Sequence, residues 1–270
     1  MGVDMNSVIA WVGGKRLLRK KIIPLIPKHN VYCEPFGGAA WVLFGKSPIG
    51  KDWLNSGRRY KEIYNDLNGD LVIFWRYVKY HPFAFQKELS QYLASRELFL
   101  EFIHTTPRTQ LERAIMFYFK LALSYGSLSQ HFSVRGNNTL ALKNIERLKK
   151  AQDRLSNVII ENLSFEKVIA KYDSEYTFFY IDPPYYHHEH LYFRDNTKSF
   201  DGHDELAEVL KKTKGRWMLS YNDDEYIREL YSGYNIIELD TQYNISGKWQ
   251  QKREILIANY EPKQKSPHNL

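Results

Sequence analysis

The 270-residue sequence predicts an α/β fold: an open, largely parallel sheet carrying one inserted, mainly helical module. Three observations lead there. Short apolar runs at residues 31–33 and 62–64 stop at turn and acidic residues, as strands do at the ligand-binding edge of a parallel sheet. Between residues 71 and 150 the pattern changes to long, charged, aromatic-rich segments with helical spacing, and from residue 158 the short apolar runs resume. An apolar share of 43% is ample for a core that needs no covalent staples.

The elements follow in order. Val31-Tyr32-Cys33 reads as a first strand, running into the turn Glu34-Pro35-Phe36-Gly37-Gly38 and a helix-compatible stretch from Ala39 to Phe44. Glu62-Ile63-Tyr64 is a second strand, halted by Asn65-Asp66. Inside the insert, residues 113–123 have the spacing of a helix, and residues 124–138 are polar and turn-rich, a loop or short hairpin. Val158-Ile159-Ile160 restores the strand pattern. Thr177-Phe178-Phe179-Tyr180-Ile181 has the composition of a buried strand, broken abruptly by Asp182-Pro183-Pro184-Tyr185. Residues 204–212 read as a helix, 216–221 as a strand and 255–259 as the final strand. The expected division is a catalytic domain formed by residues 1–72 and 158–260, an inserted module over 73–157, and a flexible polar tail over 261–270.

A formal charge of +7 is the balance expected of a protein whose partner carries phosphates, and 20 Tyr and 6 Trp supply planar side chains that suit base stacking as well as a core. Cys33 is the single cysteine, so neither an intrachain disulfide nor a cysteine-based zinc site can form. The sequence has no apolar run of about 20 residues and no secretory leader pattern, so the chain is expected to be neither membrane-spanning nor exported, and to work in the cytoplasm. His187, His188 and His190 lie near Glu189, but adjacent histidines point apart and no further ligand has suitable spacing, so no metal is expected.

The sharpest chemical signal is Asp182-Pro183-Pro184-Tyr185 directly after an apolar strand. Two prolines fix both φ angles and remove two backbone donors, leaving a stiff corner rich in acceptors. An amino group attacking a methyl sulfonium needs acceptors for its N–H protons, and the Asp182 carboxylate and the Pro183 carbonyl offer two. Tyr185 can stack on a base that has left the duplex. An ordinary strand-ending turn is the bland alternative. Around Gly37 and Gly38 the spacing matches neither a Walker loop nor a dinucleotide fingerprint, which points to a cofactor without phosphates. Asp66 is placed to take two ribose hydroxyls, or equally to cap the following helix. Near the N-terminus, Trp11-Val12-Gly13-Gly14-Lys15 offers a cation that suits a carboxylate such as the methionine end of a cofactor.

Taken together and in this order, these segments resemble the Dam-type N6-adenine DNA methyltransferases. Trp11 to Lys15 looks like the family's N-terminal tryptophan-glycine-glycine-lysine motif, Glu34-Pro35-Phe36-Gly37-Gly38-Ala39 like its cofactor loop, Asn65-Asp66-Leu67-Asn68 like its ribose-binding motif and Asp182-Pro183-Pro184-Tyr185 like its catalytic motif. The run Glu254-Ile255-Leu256-Ile257-Ala258-Asn259-Tyr260 is similar to the family's usual ending. The resemblance implies a Rossmann-like sheet, S-adenosyl-L-methionine as cofactor, double-stranded DNA as partner and an insert that reads it. It also implies cofactor contacts from Trp11, Lys15, Glu34, Phe36, Gly37, Gly38, Asp66, Ser164, Phe165 and Asp182, and catalysis by Asp182, Pro183 and Tyr185. Ser127, Gln130, Arg135 and Asn137 are the expected DNA contacts, Arg135 foremost, to phosphate or guanine edges. Two departures stand out: Ser164-Phe165 replaces the family's common Asp-Phe pair, and residues 124–138 differ from its frequent asparagine-, glycine- and phenylalanine-rich hairpin. The rival readings are a methyltransferase acting on RNA or on the cytosine amine, and a catalytically silent DNA-binding protein of the same fold.

Overall fold

The computed structural model describes residues 5–48, 60–133, 143–187, 200–245 and 248–262, the side chains of 240–252 excepted. Its seven strands are β1 (Val31–Glu34), β2 (Lys61–Asn65), β3 (Val158–Glu161), β4 (Thr177–Ile181), β5 (Arg216–Asn222), β6 (Asn235–Ile245) and β7 (Lys248–Ala258). They form one sheet in the order β3-β2-β1-β4-β5-β7-β6. The pairs among β1 to β5 are parallel, and β7 runs antiparallel to both β5 and β6. The strand order reverses between β1 and β4, which are hydrogen-bonded neighbours. The carboxyl ends of those two strands therefore flank the crevice where open α/β sheets bind ligands.

Both faces of the sheet are covered, as near-continuous apolar strands require. The period of two divides the side chains cleanly. Tyr32, Tyr64, Phe178, Tyr180 and Met218 join one core, and Cys33, Ile63, Phe179, Ile181 and Trp217 join the other. Along the chain the helices are α1 (Arg19–Ile22), α2 (Trp41–Gly45), α3 (Gly69–Tyr80), α4 (Pro82–Leu89), α5 (Arg96–His104), α6 (Gln110–Ala122), α7 (Ile145–Leu155), α8 (Phe165–Tyr172), α9 (His203–Lys212) and α10 (Glu225–Leu230). The first core includes α2, α3, α6 and α7, and the second α8, α9 and α10.

The insert is mainly helical, with α3 to α7 lying between β2 and β3. Side-chain caps define its helix starts: Asn68 accepts from the Asp70 and Leu71 amides, Ser95 from Leu98, Thr109 from Glu112 and Asn144 from Glu146. Residues 114–121 of α6 are buried without a break, Lys120 among them, so this stretch is enclosed on every side and forms the centre of the module. Beyond it, the turn 124–132 is closed by an antiparallel bridge between Ser124 and Phe132 and by the Ser133 amide donating to the Leu123 carbonyl at 2.8 Å.

The expected strands stand, most of them a residue or so longer than their apolar runs, and two expectations are revised. The helix foreseen from Ala39 begins only at Trp41, because Ala40 adopts a left-handed conformation with φ 55° that cannot propagate a helix. The final strand begins at Lys248, well before Ile255, and pairs along its length with β6, an edge strand the apolar runs did not announce. Among the described residues, no helix is long and apolar enough to cross a membrane.

Candidate active site

At the switch point the loops enclose a cavity of about 570 Å3, within the roughly 300–1,000 Å3 of small-molecule sites. Trp11 and Lys15 reach it from the N-terminal segment, and Glu34, Phe36, Gly37 and Gly38 from the turn after β1. Asp66 enters after β2, Ser164 and Phe165 after β3, and Asp182 after β4. The ten residues expected to contact cofactor are thus brought to one wall system. Of the two other residues in the catalytic expectation, neither Pro183 nor Tyr185 lines it; Pro184 does.

The turn after β1 is held open by its neighbours. A Cβ on Gly37 would lie 2.2 Å from the Tyr64 ring, so the glycine is required by that ring on β2. Gly38 has φ 49°; its N–H donates to Asp66 Oδ2 at 2.9 Å, while its carbonyl accepts from the Tyr64 hydroxyl at 2.8 Å and from Trp75 Nε1 at 3.1 Å. Asn65, fully buried, stitches the adjacent loops: its Nδ2 donates to the Pro35 and Leu163 carbonyls, and its Oδ1 accepts from the Leu163 amide.

Asp66 is not the helix cap, a role taken by Asn68. Its Oδ1 accepts from the Asn68 amide at 2.8 Å. Burial pushes its carboxyl up to about 6, against the lowering effect of the Asn68 and Gly38 amides. Glu34 is likewise pushed up to about 7 by burial, although the Tyr32 hydroxyl donates to it at 2.6 Å.

Asp182 sits at the centre of a polar network. Its Oδ1 receives the Lys15 ammonium at 2.8 Å and the Ser220 hydroxyl at 2.8 Å. Its Oδ2 has no partner among the described residues. Burial raises the carboxyl above the ordinary aspartate range while Lys15 and Ser220 pull the other way. Lys15, expected to face a cofactor carboxylate, is engaged by this aspartate and by the Gly13 carbonyl, and lies 4.6 Å from the centroid of the Tyr185 ring. The Tyr185 hydroxyl donates to Glu254 Oε2 at 2.5 Å, which anchors the ring by its outer end.

Away from Asp182 the cavity is aromatic. Phe36 stacks on Phe165 with centroids 5.5 Å apart, and Phe200 meets both edge-on at 5.6 and 6.0 Å. Ser164 occupies the N-cap position of α8, yet its hydroxyl makes no cap bond.

Of the expected DNA contacts, Ser127 and Gln130 line this same cavity, carried by a turn in which Gly126, Ser127 and Ser129 all have positive φ. Arg135 and Asn137 lie outside the described residues, as do His188, Glu189 and His190. Among the described residues there is no cluster of three or more His, Cys, Asp or Glu side chains that could hold a metal. Two site residues had no motif to announce them, Ser220 and Phe200; the readable sign of Ser220 is a small hydroxyl inside the apolar run of β5, while Glu254 opens the run that resembles the family's ending but carries no sign there that it would meet Tyr185.

Over residues 11–245 the chain matches the model of the family described as D12 class N6 adenine-specific DNA methyltransferase. The type II methyltransferase M.CviBI of Paramecium bursaria Chlorella virus NC1A is 23% identical over 272 residues, covering 95% of this chain and all of that one. The DNA adenine methylase of Salmonella typhi is 24% identical over 288 residues, covering 95% and 96%. Among solved structures, precorrin 8w decarboxylase of Methanobacterium thermoautotrophicum covers 90% of this chain and 89% of its own at 11% identity, with a TM-score of 0.36, too low to bear on the fold.

Proposed function

The chain belongs to the D12 class of N6 adenine-specific DNA methyltransferases, and from that premise we propose how its residues divide the work. The enzyme methylates adenine in DNA. We assign the cavity to S-adenosyl-L-methionine, which brings a methyl group activated on a sulfonium. The lining suits a nucleoside without phosphates. Lys15 is its one cation among the described residues and is already paired, while aromatic rings and acceptors supply the remaining walls. Asp66 would take the ribose hydroxyls, and Phe36 and Phe165 would bound the adenine.

The observation that carries the catalytic assignment is the division of labour on Asp182. One oxygen is committed to Lys15 and Ser220, and the other has no partner among the described residues, in a residue of the cavity wall. Two fixed donors set the carboxylate's orientation before substrate arrives, which favours a near-attack geometry. The flipped adenine's amine donates one N–H to Asp182 Oδ2 and the other to the Pro183 carbonyl, aiming its lone pair at the methyl carbon. Tyr185, anchored by Glu254, stacks on the base. Lys15 acts as a positioning residue for both Asp182 and Tyr185.

Residues 73–157 would read double-stranded DNA, with 1–72 and 158–260 forming the catalytic body. The test is tritiated methyl transfer from S-adenosyl-L-methionine to unmethylated DNA, with RNA in parallel and nucleosides resolved after digestion. Label is expected in the N6-methyl deoxyadenosine fraction. Asp182→Ala should abolish it while leaving DNA binding within a few-fold; equal loss of DNA binding refutes the assigned role.

A further inference from the structure

β4 is buried at every position, and in its aromatic run Phe178-Phe179-Tyr180 only the third ring carries a polar atom. A phenylalanine would fill the same place, whereas a phenol hydroxyl inside a core has to find a hydrogen-bond partner to offset its lost water. Tyr180 is 3% exposed, and its hydroxyl lies 3.1 Å from Oγ of Ser220 on β5, itself fully buried. Ser220 is in turn one of the two donors to Asp182 Oδ1.

The direction of these bonds follows from the protons at hand. Burial, and then the charge of Asp182, push the Tyr180 phenol well above the ordinary tyrosine range, so it keeps its proton and can donate it. Ser220 has one proton and, among the described residues, two acceptors for it: Asp182 Oδ1 at 2.8 Å and the Ile181 carbonyl at 3.3 Å. The carboxylate, paired with Lys15, is the stronger acceptor. With its proton on Asp182 the serine oxygen is left to accept, and the Tyr180 hydroxyl is the donor that meets it. A hydroxyl that accepts one hydrogen bond donates the next more strongly, and its rotation is no longer free. Without the phenol, Ser220 is free to turn to the Ile181 carbonyl, which would leave Lys15 to orient the carboxylate by itself.

We infer that Tyr180 is a positioning residue for methyl transfer: its hydroxyl holds the Ser220 proton on Asp182 Oδ1 and so sets the direction in which Oδ2 is offered to the target amine. This rests on the assignment of Asp182 as the acceptor for that amine. Tyr180 also belongs to the cavity wall, so a direct contact with the cofactor is the rival that the experiment has to separate.

The experiment is a double-mutant cycle in the full chain: the parent, Tyr180→Phe, Ser220→Ala and the two combined. Each is assayed for single-turnover methyl transfer from S-adenosyl-L-methionine to unmethylated DNA, both saturating, and for calorimetric binding of S-adenosylhomocysteine. Tyr180→Phe removes one oxygen and keeps the ring. Its transfer rate should fall about three- to tenfold, the worth of one uncharged hydrogen bond, with S-adenosylhomocysteine affinity within about twofold of the parent. In the Ser220→Ala background the same substitution should change the rate by less than about twofold, because no serine proton remains to be held. An equal loss in both backgrounds overturns the inference, as does an unchanged rate in Tyr180→Phe alone. Weaker S-adenosylhomocysteine binding that accounts for the whole loss also overturns it, and gives the hydroxyl to the cofactor. Asp182→Ala controls the premise: if that variant still methylates, the assignment of Asp182 falls and this inference with it. Melting curves separate lost positioning from lost folding, and Tyr180→Phe, which buries no new polar atom, should melt near the parent.

Discussion

Replacing Arg154 with Met should cost the fold about 3 kcal/mol, and the reason is visible at one carboxylate. Arg154 on α7 donates from Nη1 to Glu62 Oε2 at 2.6 Å and from Nη2 to Glu62 Oε1 at 3.0 Å and to the Leu43 carbonyl at 2.6 Å. Lys46 Nζ approaches the same Oε1 at 2.5 Å. All three side chains are at most 8% exposed. Removing one partner of a buried pair typically costs about 3–5 kcal/mol, because the other charge stays buried and loses its donors. Lys46 remains to neutralise Glu62 and Met keeps the apolar stem filled, which places this case at the lower end. At about 2–4 °C per kcal/mol for a chain near this size, the melting temperature should fall by roughly 6–12 °C. Differential scanning calorimetry of the two proteins at neutral pH measures it. The effect has a pH signature as well. Burial pushes the Glu62 carboxyl up, but Lys46 and Arg154 more than undo this and hold it below the ordinary glutamate value of 4.5. Its contribution to stability is therefore present above that value and lost as pH falls through the lowered one, so the variant should lose less than the parent on acidification. A drop in melting temperature under about 3 °C would refute the reasoning, since it would mean the arginine anchors nothing.

Two other outcomes follow from the site. Ser220→Ala removes one of two donors to Asp182 Oδ1; a hydrogen bond to a charged group is worth about 1.5–3 kcal/mol, so kcat/KM should fall by roughly 10- to 100-fold while S-adenosylhomocysteine binding changes little. Equal loss in both would show that the serine supports the cavity rather than the carboxylate. Asp66 should impose two opposite trends over one pH window. With its carboxyl raised from 3.8 to about 6, ionisation costs the apoprotein stability, a contribution that is full below 3.8 and gone once pH passes 6. Cofactor affinity should rise across the same interval, by up to tenfold per unit below pH 6, as the ionised acceptor becomes available for the ribose. Titration calorimetry from pH 5 to 8 should show the rise, and Asp66→Asn should flatten it.

Much of the sheet was legible because its strands are short apolar runs ended by turn residues, and the site loops are those ends. Thr177–Ile181, buried at every position, needed nothing beyond its own composition to be read. The β6–β7 hairpin was harder: Lys248 to Arg253 is polar apart from Trp249, and its strand character comes from pairing with β6 rather than from an apolar run. The site showed the same boundary. Asp182, Asp66 and the glycine turn stand in recognisable local contexts, whereas the ion pair between Lys15 and Asp182 joins residues far apart in the chain, and Glu254, which anchors Tyr185, arrives on the last strand. Gly37 reads as part of a glycine turn beside a cofactor, and the side chain that leaves it no room for a Cβ is Tyr64. No local pattern carries the identity of a partner chosen by tertiary folding.

The turn 124–132 gives the enzyme a seam that does not coincide with the order of its chain. It is covalently part of the insert, closed on itself by the Ser124–Phe132 bridge, yet through Ser127 and Gln130 it is masonry of the catalytic cavity. Anyone transplanting a DNA-reading module from a relative into this scaffold should leave the turn behind and cut beyond Ser133. A graft that carried the turn along would exchange part of the wall of the cavity proposed for the methyl donor as well as the proposed DNA-reading segment, and the hybrid's failure would be misread as failure to recognise DNA.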